Sequence, residues 1–328
     1  MIEGYIYAVF ISFFVSLLLS IVGIPILKKI KAGQTILSYV KEHREKNGTP
    51  TMGGIFFVLS TCITFLLLGG AQSKVALSCL SIGFAYMIVG FIDDFLKIKY
   101  SKNEGLKPYQ KIIFQLGVSL IAGWSVYTNG LTQFAIPFTR SSVDLGVFTI
   151  FLVSFVFIAL TNSVNLTDGL DGLAGGVSVA YAIGVSVIII LQTGVHGLTN
   201  SKIQDQTSLL VLSFALIGAI TAYLIFNVSK ARVFMGDTGS LALGGFLGGI
   251  SVYSGNSFFI PLIGITFVAS SISVIIQVLY YKATKKRVFL MAPIHHHFQH
   301  KGYSETQISF VYFVITCFFG MACILSYA

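Results

Sequence analysis

Two adjacent carboxylates, Asp93 and Asp94, stand at the end of the apolar run that begins at Ala85, and Lys97 follows them closely. Two acids beside hydrocarbon are costly, because each resists leaving water and each disfavours ionisation of the other. Such a pair can bind a divalent cation or accept a proton. It can equally be a helix end or one side of an ion pair. The pair therefore indicates where a reaction is expected, and the type of reaction has to be inferred from other residues.

Glycines and a proline follow Lys46 in the segment from Thr49 to Gly54. Such a backbone exposes amide groups, which suits the binding of a phosphate or a nucleotide. The alternative is a helix start at which Thr51 is the N-cap residue.

A second polar segment runs from Asn165 to Gly172 and contains the steps Asp168-Gly169 and Asp171-Gly172. Each step favours a tight turn with free amides and side-chain oxygens. One such step would indicate only a turn, whereas two steps together with Asn165, placed between apolar segments, favour a binding site.

Asn227 precedes a third segment, in which Asp237 lies shortly after Phe234. Asp237 is predicted to stand just before a helix, where capping is its simplest role. Phe234 is either an interfacial anchor or a surface on which a base stacks.

Three consecutive histidines, His295 to His297, mark a fourth segment. Adjacent side chains diverge on any regular element, so three neighbours seldom bind one metal together. Hydrogen bonding to a phosphate, or orientation of a carboxylate, is the favoured role.

The elements that must position these residues are helices that cross a membrane. Of the 328 residues, 55% are hydrophobic and only 10% are charged, whereas a soluble domain has about 25% charged residues. We expect an all-α polytopic integral membrane protein with a single transmembrane catalytic domain over residues 1–328. Ten apolar spans of about 20 residues are predicted, at roughly 5–27, 53–69, 75–92, 112–128, 147–163, 173–192, 209–226, 240–254, 258–281 and 307–326.

The basic residues orient these spans. Of the 21 lysines and arginines, 18 lie in alternate loops that form one side of the membrane, at 27–53, 93–112, 163–173, 226–240 and 281–307. The other side holds only Lys74, Arg140 and Lys202. By the positive-inside rule the side with the 18 basic residues is cytoplasmic, so both termini face outward. The four polar segments and the acid pair all lie on the cytoplasmic side. The net charge of +9 has two interpretations. It reflects membrane topology alone, or it forms a surface that attracts anionic lipids or phosphorylated substrates.

Smaller features complete the expected architecture. The first span is predicted to be retained, because no basic segment precedes it. The glycine-rich eighth span predicts close helix packing, and the outward segment 129–147 predicts a small hairpin. The four cysteines lie in apolar spans without metal-ligand spacing, which predicts packing roles.

The motifs together resemble one enzyme family. The blocks that carry the resemblance are Thr49 to Gly54, Asp93 to Lys97, Asn165 to Gly172, Val233 to Asp237 and Ala292 to Phe298. In this order they resemble the phospho-N-acetylmuramoyl-pentapeptide transferases (MraY, or translocase I) of the polyprenyl-phosphate N-acetylhexosamine-1-phosphate transferase superfamily. The resemblance runs from about residue 25 to the C-terminus and includes the number of spans.

The resemblance implies a reaction and its partners. Family members transfer phospho-MurNAc-pentapeptide from UDP-MurNAc-pentapeptide to undecaprenyl phosphate, which gives lipid I and UMP in the first membrane step of peptidoglycan synthesis. The resemblance also implies a Mg²⁺ cofactor, a homodimer and a bacterial cell membrane with the site facing the cytoplasm. Membrane lipids are expected neighbours, and no nucleic-acid partner is expected.

Roles for the acids and one histidine follow from the motif match. Asp237 is expected to bind Mg²⁺, with Asp93 or Asp94 contributing. Asp93 is expected to deprotonate or orient the lipid phosphate, with Asp94 nearby. His295 is expected to assist at the phosphates, so these four residues form the expected catalytic set.

The expected substrate-binding residues are more numerous. Lys97 and Lys111 match lysines near the diphosphate. Phe234 is the expected uracil-stacking residue. The positions associated with nucleotide or inhibitor recognition are Lys46, Thr51, Asn165, Asp168, Gly169, Leu170, Asp171, Asn227, Phe234 and His296.

The chain departs from the family pattern in one place. Ser229-Lys230-Ala231-Arg232 stands where members usually have a Pro-Ala pair, which predicts a different local backbone and an added charge at Lys230.

Alternative functions remain open at the level of the sequence. A transferase of GlcNAc-1-phosphate or a related sugar phosphate shares the acid pair, but Lys97 and the unbroken histidine block favour the muramoyl-pentapeptide enzyme. A transporter would place its charges near the bilayer midplane and show repeated halves. A non-catalytic scaffold would not gather four polar segments and an acid pair on one face. Direct attack by the lipid phosphate is favoured over a covalent aspartate intermediate, because that phosphate is already nucleophilic.

Overall fold

The computed structural model describes residues 2–30, 48–100, 105–139, 141–194, 199–228 and 230–326. Lys46 and Ser229, both named above, lie outside these residues. Helices dominate the described part of the chain: α1 (Ile2–Lys29), α2 (Gly54–Leu67), α3 (Lys74–Tyr100), α4 (Pro108–Thr128), α5 (Thr149–Thr167), α6 (Leu173–Thr193), α7 (Asn200–Asn227), α8 (Gly236–Tyr253), α9 (Ile260–Ile263), α10 (Ile265–Thr284), α11 (Ile294–His300) and α12 (Glu305–Ile324). Two short strands, β1 (Gln133–Ala135) and β2 (Ser142–Asp144), pair antiparallel.

The predicted apolar segments all form helices. The segment 258–281 is divided into α9 and α10 at Gly264. Seven of the described helices are long and apolar enough to cross a membrane, namely α1, α3, α5, α6, α7, α10 and α12. The all-α, multi-pass architecture is therefore confirmed, whereas the count of ten spans and the outward termini stay predictions.

The helices form an interior and a lipid-facing periphery. In α6 and α7, 72% of the spanning window is buried, whereas in α1 and α10 only 22% is buried. Large apolar side chains such as Phe14 in α1, Leu279 in α10 and Phe318 in α12 are exposed. Such surfaces are stable against hydrocarbon, so α1, α10 and α12 form the outside of the bundle.

Helix α8 lies at the centre and packs against α3 and α5. A methyl group on Gly244 would overlap the backbone of Thr161 in α5, and one on Gly245 would meet Tyr86 of α3. Small residues allow helix backbones to approach closely in a membrane. The predicted close packing of this glycine-rich segment is confirmed.

The same packing places the start of α8 beside the end of α3. A side chain on Gly90 would overlap the backbone carbonyl of Asp237, and one on Gly54 would overlap the backbone of Gly239. Gly90 therefore brings the acid pair of α3, and Gly54 the start of α2, next to the first turn of α8.

The hairpin lies at the opposite end of the bundle. Gln133 pairs with Asp144, and the Ala135 amide donates to the Gly255 carbonyl at 2.9 Å, just beyond the end of α8. The predicted hairpin is confirmed. Of the cysteines in α2, α3 and α12, Cys79 and Cys323 are buried and Cys62 and Cys317 are partly buried, in line with the predicted packing roles.

Candidate active site

Lys97 connects the three acids of the site. Its Nζ lies 2.6 Å from Asp93 Oδ2, 2.6 Å from Asp237 Oδ2 and 3.7 Å from Asp94 Oδ1. Lys97 follows Asp93 by four residues on α3, so both side chains lie on one helix face. One ammonium group therefore offsets the repulsion between acids from two helices.

Both oxygens of the Asp237 carboxylate are held by side chains from other helices. Lys111 Nζ of α4 lies 3.1 Å from Oδ2, next to Lys97. Asn165 of α5 donates from Nδ2 to Oδ1 and also to Ser240 Oγ at 2.7 Å. The capping role considered for Asp237 is wrong. The helix begins at Gly236 with Met235 as its N-cap residue, and the Asp237 carboxylate turns toward the lysines.

Asp94 supplies the missing cap of α8. Its Oδ2 accepts hydrogen bonds from the Thr238 amide at 2.9 Å and from Thr238 Oγ1 at 2.7 Å. The first amides of a helix lack intrahelical acceptors, and a negative charge there is favourable. A residue of α3 thus caps α8. Asp93 has a different environment, because its Oδ1 accepts from the Leu106 amide at 2.8 Å.

The acid cluster has the donor set of a hard-cation site. Asp93, Asp94 and Asp237 each offer a carboxylate oxygen, and these atoms lie within 4.8 Å of one another. Asp94 Oδ1 is buried and has no hydrogen-bond partner among the described residues. Mg²⁺ is commonly held by a few carboxylates together with phosphate oxygens of a substrate. The residues present therefore fit such an ion.

The segment from Asn165 to Gly172 is hydrogen-bonded to the end of α7 and to the loop that follows it. Asp171 Oδ2 accepts from the Ala231 amide at 2.9 Å. Asn227 Oδ1 accepts from the Gly172 amide at 3.2 Å. Asp171 and Asn227, both expected at the substrate, thus join two loops and fix the turns between them.

Asp168 and Leu170 lie in the same turns. Burial raises the pKa of Asp168 well above its ordinary value, and the charges of Asp237, Asp94 and Asp171 raise it further. Leu170 is buried. The structure therefore brings Asp168 into the electrostatic environment of the acid cluster.

The segment at the start of α2 lies alongside the segment before α8. The Phe234 amide donates to the Pro50 carbonyl at 2.8 Å, and the Gly53 amide donates to the Phe234 carbonyl at 2.9 Å. Phe234 itself is half-buried, which leaves part of its ring accessible for stacking.

The N-cap role considered for Thr51 is wrong, because the N-cap residue of α2 is Gly53. Thr51 is buried beside Gly236, and its hydroxyl has no hydrogen-bond partner within the described ranges. A side chain on Gly236 would overlap both Thr51 and Asp94. The Thr51 hydroxyl therefore lies next to the acid cluster.

The histidine block packs against the 165–172 turns at Gly169. His295 is fully buried, and a methyl group on Gly169 would overlap its ring. Burial, with a smaller contribution from the charge of His296, lowers the pKa of His295 to about 3. His296 Nδ1 hydrogen-bonds Gln299 Oε1 at 3.0 Å, and His297 Nδ1 accepts from the Leu290 amide at 3.1 Å. The His297 ring therefore has a partner of its own, whereas the rings of His295 and His296 lie together, with centroids 4.4 Å apart. The expected divergence of adjacent side chains does not hold for His295 and His296.

Sequence reasoning missed several residues that shape this site. They are Thr238, Ser240, and the buried amides Gln115 and Asn162. Gln115 follows Lys111 by four residues and Asn162 precedes Asn165 by three, so helical spacing was the available signal.

Comparison with known proteins assigns the chain to a family. The model of Glycosyl transferase family 4 matches residues 76–255, and Phospho-N-acetylmuramoyl-pentapeptide-transferase signature 1 matches residues 46–58. The phospho-N-acetylmuramoyl-pentapeptide-transferase of Clostridioides difficile (strain 630) is 43% identical over 314 residues, which cover 94% of each chain. That of Clostridium perfringens (strain 13 / Type A) is 43% identical over 98% of this chain and 97% of its own. That of Desulfitobacterium hafniense is 37% identical over 97% and 96%. With such identity along nearly the whole chain and the acid cluster in place, the protein belongs to the phospho-N-acetylmuramoyl-pentapeptide-transferase family.

Proposed function

We propose that the chain transfers phospho-MurNAc-pentapeptide from UDP-MurNAc-pentapeptide to undecaprenyl phosphate, giving lipid I and UMP. The observation that carries the proposal is the Asp237 carboxylate, held by two lysines and an asparagine beside Asp93 and Asp94 in a chain of this family. An oxygen of the lipid phosphate attacks the phosphorus bonded to the sugar. The bond from that phosphorus to the bridging oxygen breaks, and the electron pair leaves with UMP.

Asp237 would hold Mg²⁺, with Asp93 or Asp94 contributing an oxygen. When bound, this ion supplies neutralisation of the diphosphate charge and stabilisation of the leaving UMP. Lys97 and Lys111 reach the same carboxylate from two helices. We assign both ammonium groups to the diphosphate, because two positive charges beside the carboxylate that would hold the ion can offset phosphate charge at the same place.

Asp93 is the residue that orients or deprotonates the lipid phosphate. Its carboxylate contacts Lys97 and the Leu106 amide, whereas one oxygen of Asp94 is engaged with both donors of Thr238. His295 is fully buried against Gly169. Its contribution at the phosphates is therefore indirect, through the position of the 165–172 turns.

The nucleotide is recognised by the surrounding turns. Phe234 provides a half-buried ring for uracil, and aromatic stacking on a base is worth about 1–3 kcal/mol. Asp171 and Asn227 act by holding the turns together. The remaining recognition residues of the proposal are Lys46, Thr51, Asn165, Asp168, Gly169, Leu170 and His296.

The membrane arrangement completes the proposal. The site faces the cytoplasm of a bacterial cell, ten helices span the cytoplasmic membrane, both termini face outward, and the protein is a homodimer. The distribution of lysine and arginine supports this orientation. A cytosolic sugar nucleotide and a lipid phosphate of the inner leaflet then reach the acid cluster from adjoining phases.

The test is UMP release by the purified full chain in detergent with UDP-MurNAc-pentapeptide, undecaprenyl phosphate and Mg²⁺. Asp237→Asn is expected to abolish release. Asp144→Asn, which changes an exposed acid of the hairpin, is expected to leave it unchanged. Turnover with UDP-GlcNAc alone would instead support the related sugar-phosphate transferase, and unchanged release in Asp237→Asn would remove that residue from the mechanism.

A second experiment addresses direct attack. The enzyme is incubated with labelled UDP-MurNAc-pentapeptide without lipid acceptor, and the protein is checked by mass spectrometry. Direct attack predicts unmodified protein. A phospho-MurNAc adduct that disappears in Asp93→Asn would establish a covalent intermediate instead.

A further inference from the structure

A pair of amides lies between α4 and α5. Asn162 Nδ2 donates to Gln115 Oε1 at 2.7 Å, and Gln115 Nε2 donates to Asn162 Oδ1 at 3.4 Å. Gln115 is fully buried. A buried amide without a partner is costly, because water is not available to replace the lost hydrogen bond. The pair therefore fixes the register of α4 against α5.

Helical spacing connects this amide pair to the acid cluster. Lys111 precedes Gln115 by four residues, and Asn165 follows Asn162 by three, so each helix presents both residues on one face. Lys111 Nζ lies 3.1 Å from Asp237 Oδ2, and Asn165 Nδ2 donates to Asp237 Oδ1. Each helix thus contributes one amide to the pair and, one turn away, one donor to the carboxylate.

Helix α3 joins the same arrangement. The Tyr86 hydroxyl donates to the backbone carbonyl of Gln115 at 3.2 Å. The Tyr86 ring stacks on Phe157 of α5 with centroids 5.8 Å apart. Tyr86 lies about two turns before Asp93 on the helix of the acid pair. The helices α3, α4 and α5, each of which supplies a donor to Asp237, are therefore joined to one another at Tyr86, Gln115 and Asn162.

We propose that Gln115 and Asn162 are positioning residues that aim the carboxylate of Asp237. By fixing α4 against α5, they set the separation of Lys111 and Asn165, which hold the two carboxylate oxygens. The inference rests on the proposed function, because it assumes that Asp237 binds the divalent ion. Groups that hydrogen-bond a metal ligand directly change metal affinity by about 10–100-fold when removed. Gln115 and Asn162 act one residue further away, so the lower end of this range is expected.

The test measures Mn²⁺ binding to the full chain in detergent from the electron paramagnetic resonance signal of free Mn²⁺, without substrates. Gln115→Leu and Asn162→Leu are each expected to raise the Kd about tenfold. The double variant is expected to bind no more weakly than either single variant, because the two amides act as one unit. Exchanging them, with Gln115→Asn and Asn162→Gln together, retains two amides and is expected to restore most of the affinity.

A matched control exists at the opposite end of the bundle. Gln192 and Asn256 form the same reciprocal pair, with both hydrogen bonds at 2.9 Å. Gln192→Leu is expected to lower the thermal midpoint as Gln115→Leu does, yet to leave Mn²⁺ affinity unchanged. If Gln192→Leu weakens Mn²⁺ binding as much as Gln115→Leu does, for a similar fall in the thermal midpoint, the positioning role is overturned.

Asp237→Asn separates this inference from the proposed function. Loss of Mn²⁺ binding in Asp237→Asn, with normal binding in Gln115→Leu, overturns the positioning role alone. Unchanged Mn²⁺ binding in Asp237→Asn overturns the metal role and the positioning role with it.

Discussion

The buried ring of His295 makes the stability of this protein depend on pH, and one substitution should remove that dependence. The ring is 0% exposed, and neither nitrogen has a hydrogen-bond partner in the part of the chain that the structure describes. Its surroundings are the ring of His296 at 4.4 Å, the ring of Tyr312 at 6.4 Å and the backbone of Gly169. Burial, followed by the charge of His296, lowers the pKa to about 3.

The sign and the magnitude follow from linkage. The unfolded chain has a histidine pKa of about 6.5, so as the pH falls the unfolded state binds the proton first. His295 therefore does not lower the unfolding free energy above pH 6.5. Below pH 6.5 the unfolding free energy falls progressively until the pH reaches about 3. Each pH unit inside this interval removes about 1.4 kcal/mol. Lowering the pH to about 4.5 crosses roughly two of these units and removes about 2.7 kcal/mol of unfolding free energy.

The assay is the thermal midpoint of the purified protein in detergent at a pH of about 7.5 and about 4.5. His295→Phe retains a ring of similar size and cannot be protonated, so its midpoint should fall a few degrees less than that of the wild type. Carboxylates of the acid cluster are common to both proteins and cancel in this difference. His300→Phe, at an exposed histidine of the same helix, should retain the wild-type pH dependence. Equal pH dependence in His295→Phe and the wild type would refute the reasoning.

Two further predictions concern the junction of α3 and α8. Gly90→Ala is expected to lower the thermal midpoint and UMP release together, because its methyl group would overlap the backbone of Asp237 and overpacking costs about 1–3 kcal/mol. Gly117→Ala, at a helical glycine with nothing within 4 Å, should lower neither, and equal effects would contradict the packing argument. Thr238→Val removes the hydroxyl that donates to Asp94 and is expected to destabilise by about 1.5–3 kcal/mol. Thr238→Ser keeps the hydroxyl, so midpoints that do not distinguish the two Thr238 variants would count against the capping argument.

Local sequence patterns were sufficient for most of the fold. Apolar length and turn composition are properties of neighbouring residues, so the long apolar helices, the hairpin and the glycine-rich packing of α8 could be predicted. The short helix α11 could not, because its polar histidines have the composition of the loop 281–307. The division at Gly264 fell inside a continuous apolar segment. Nothing in local hydrophobicity distinguishes an interrupted helix from a continuous one.

The site was predictable as a set of segments and not as a set of contacts. Thr51 and Asp237 have the residue types of helix caps, yet the capping alternative is wrong for both. The acceptor for the start of α8 comes from Asp94, 144 residues earlier in the chain than Thr238. Propensities describe a residue and its neighbours, so a cap supplied by another helix leaves no local signal.

The two adjacent acids have different roles because a helix turns about 100° from one residue to the next. Asp94 faces α8, and its Oδ2 is engaged by both donors of Thr238. Asp93 faces Lys97 and the Leu106 amide. A substitution of Asp94 therefore acts first on the position of the α8 terminus, and hence on the backbone that carries Asp237. A substitution of Asp93 leaves that terminus capped, which supports the assignment of the lipid phosphate to Asp93.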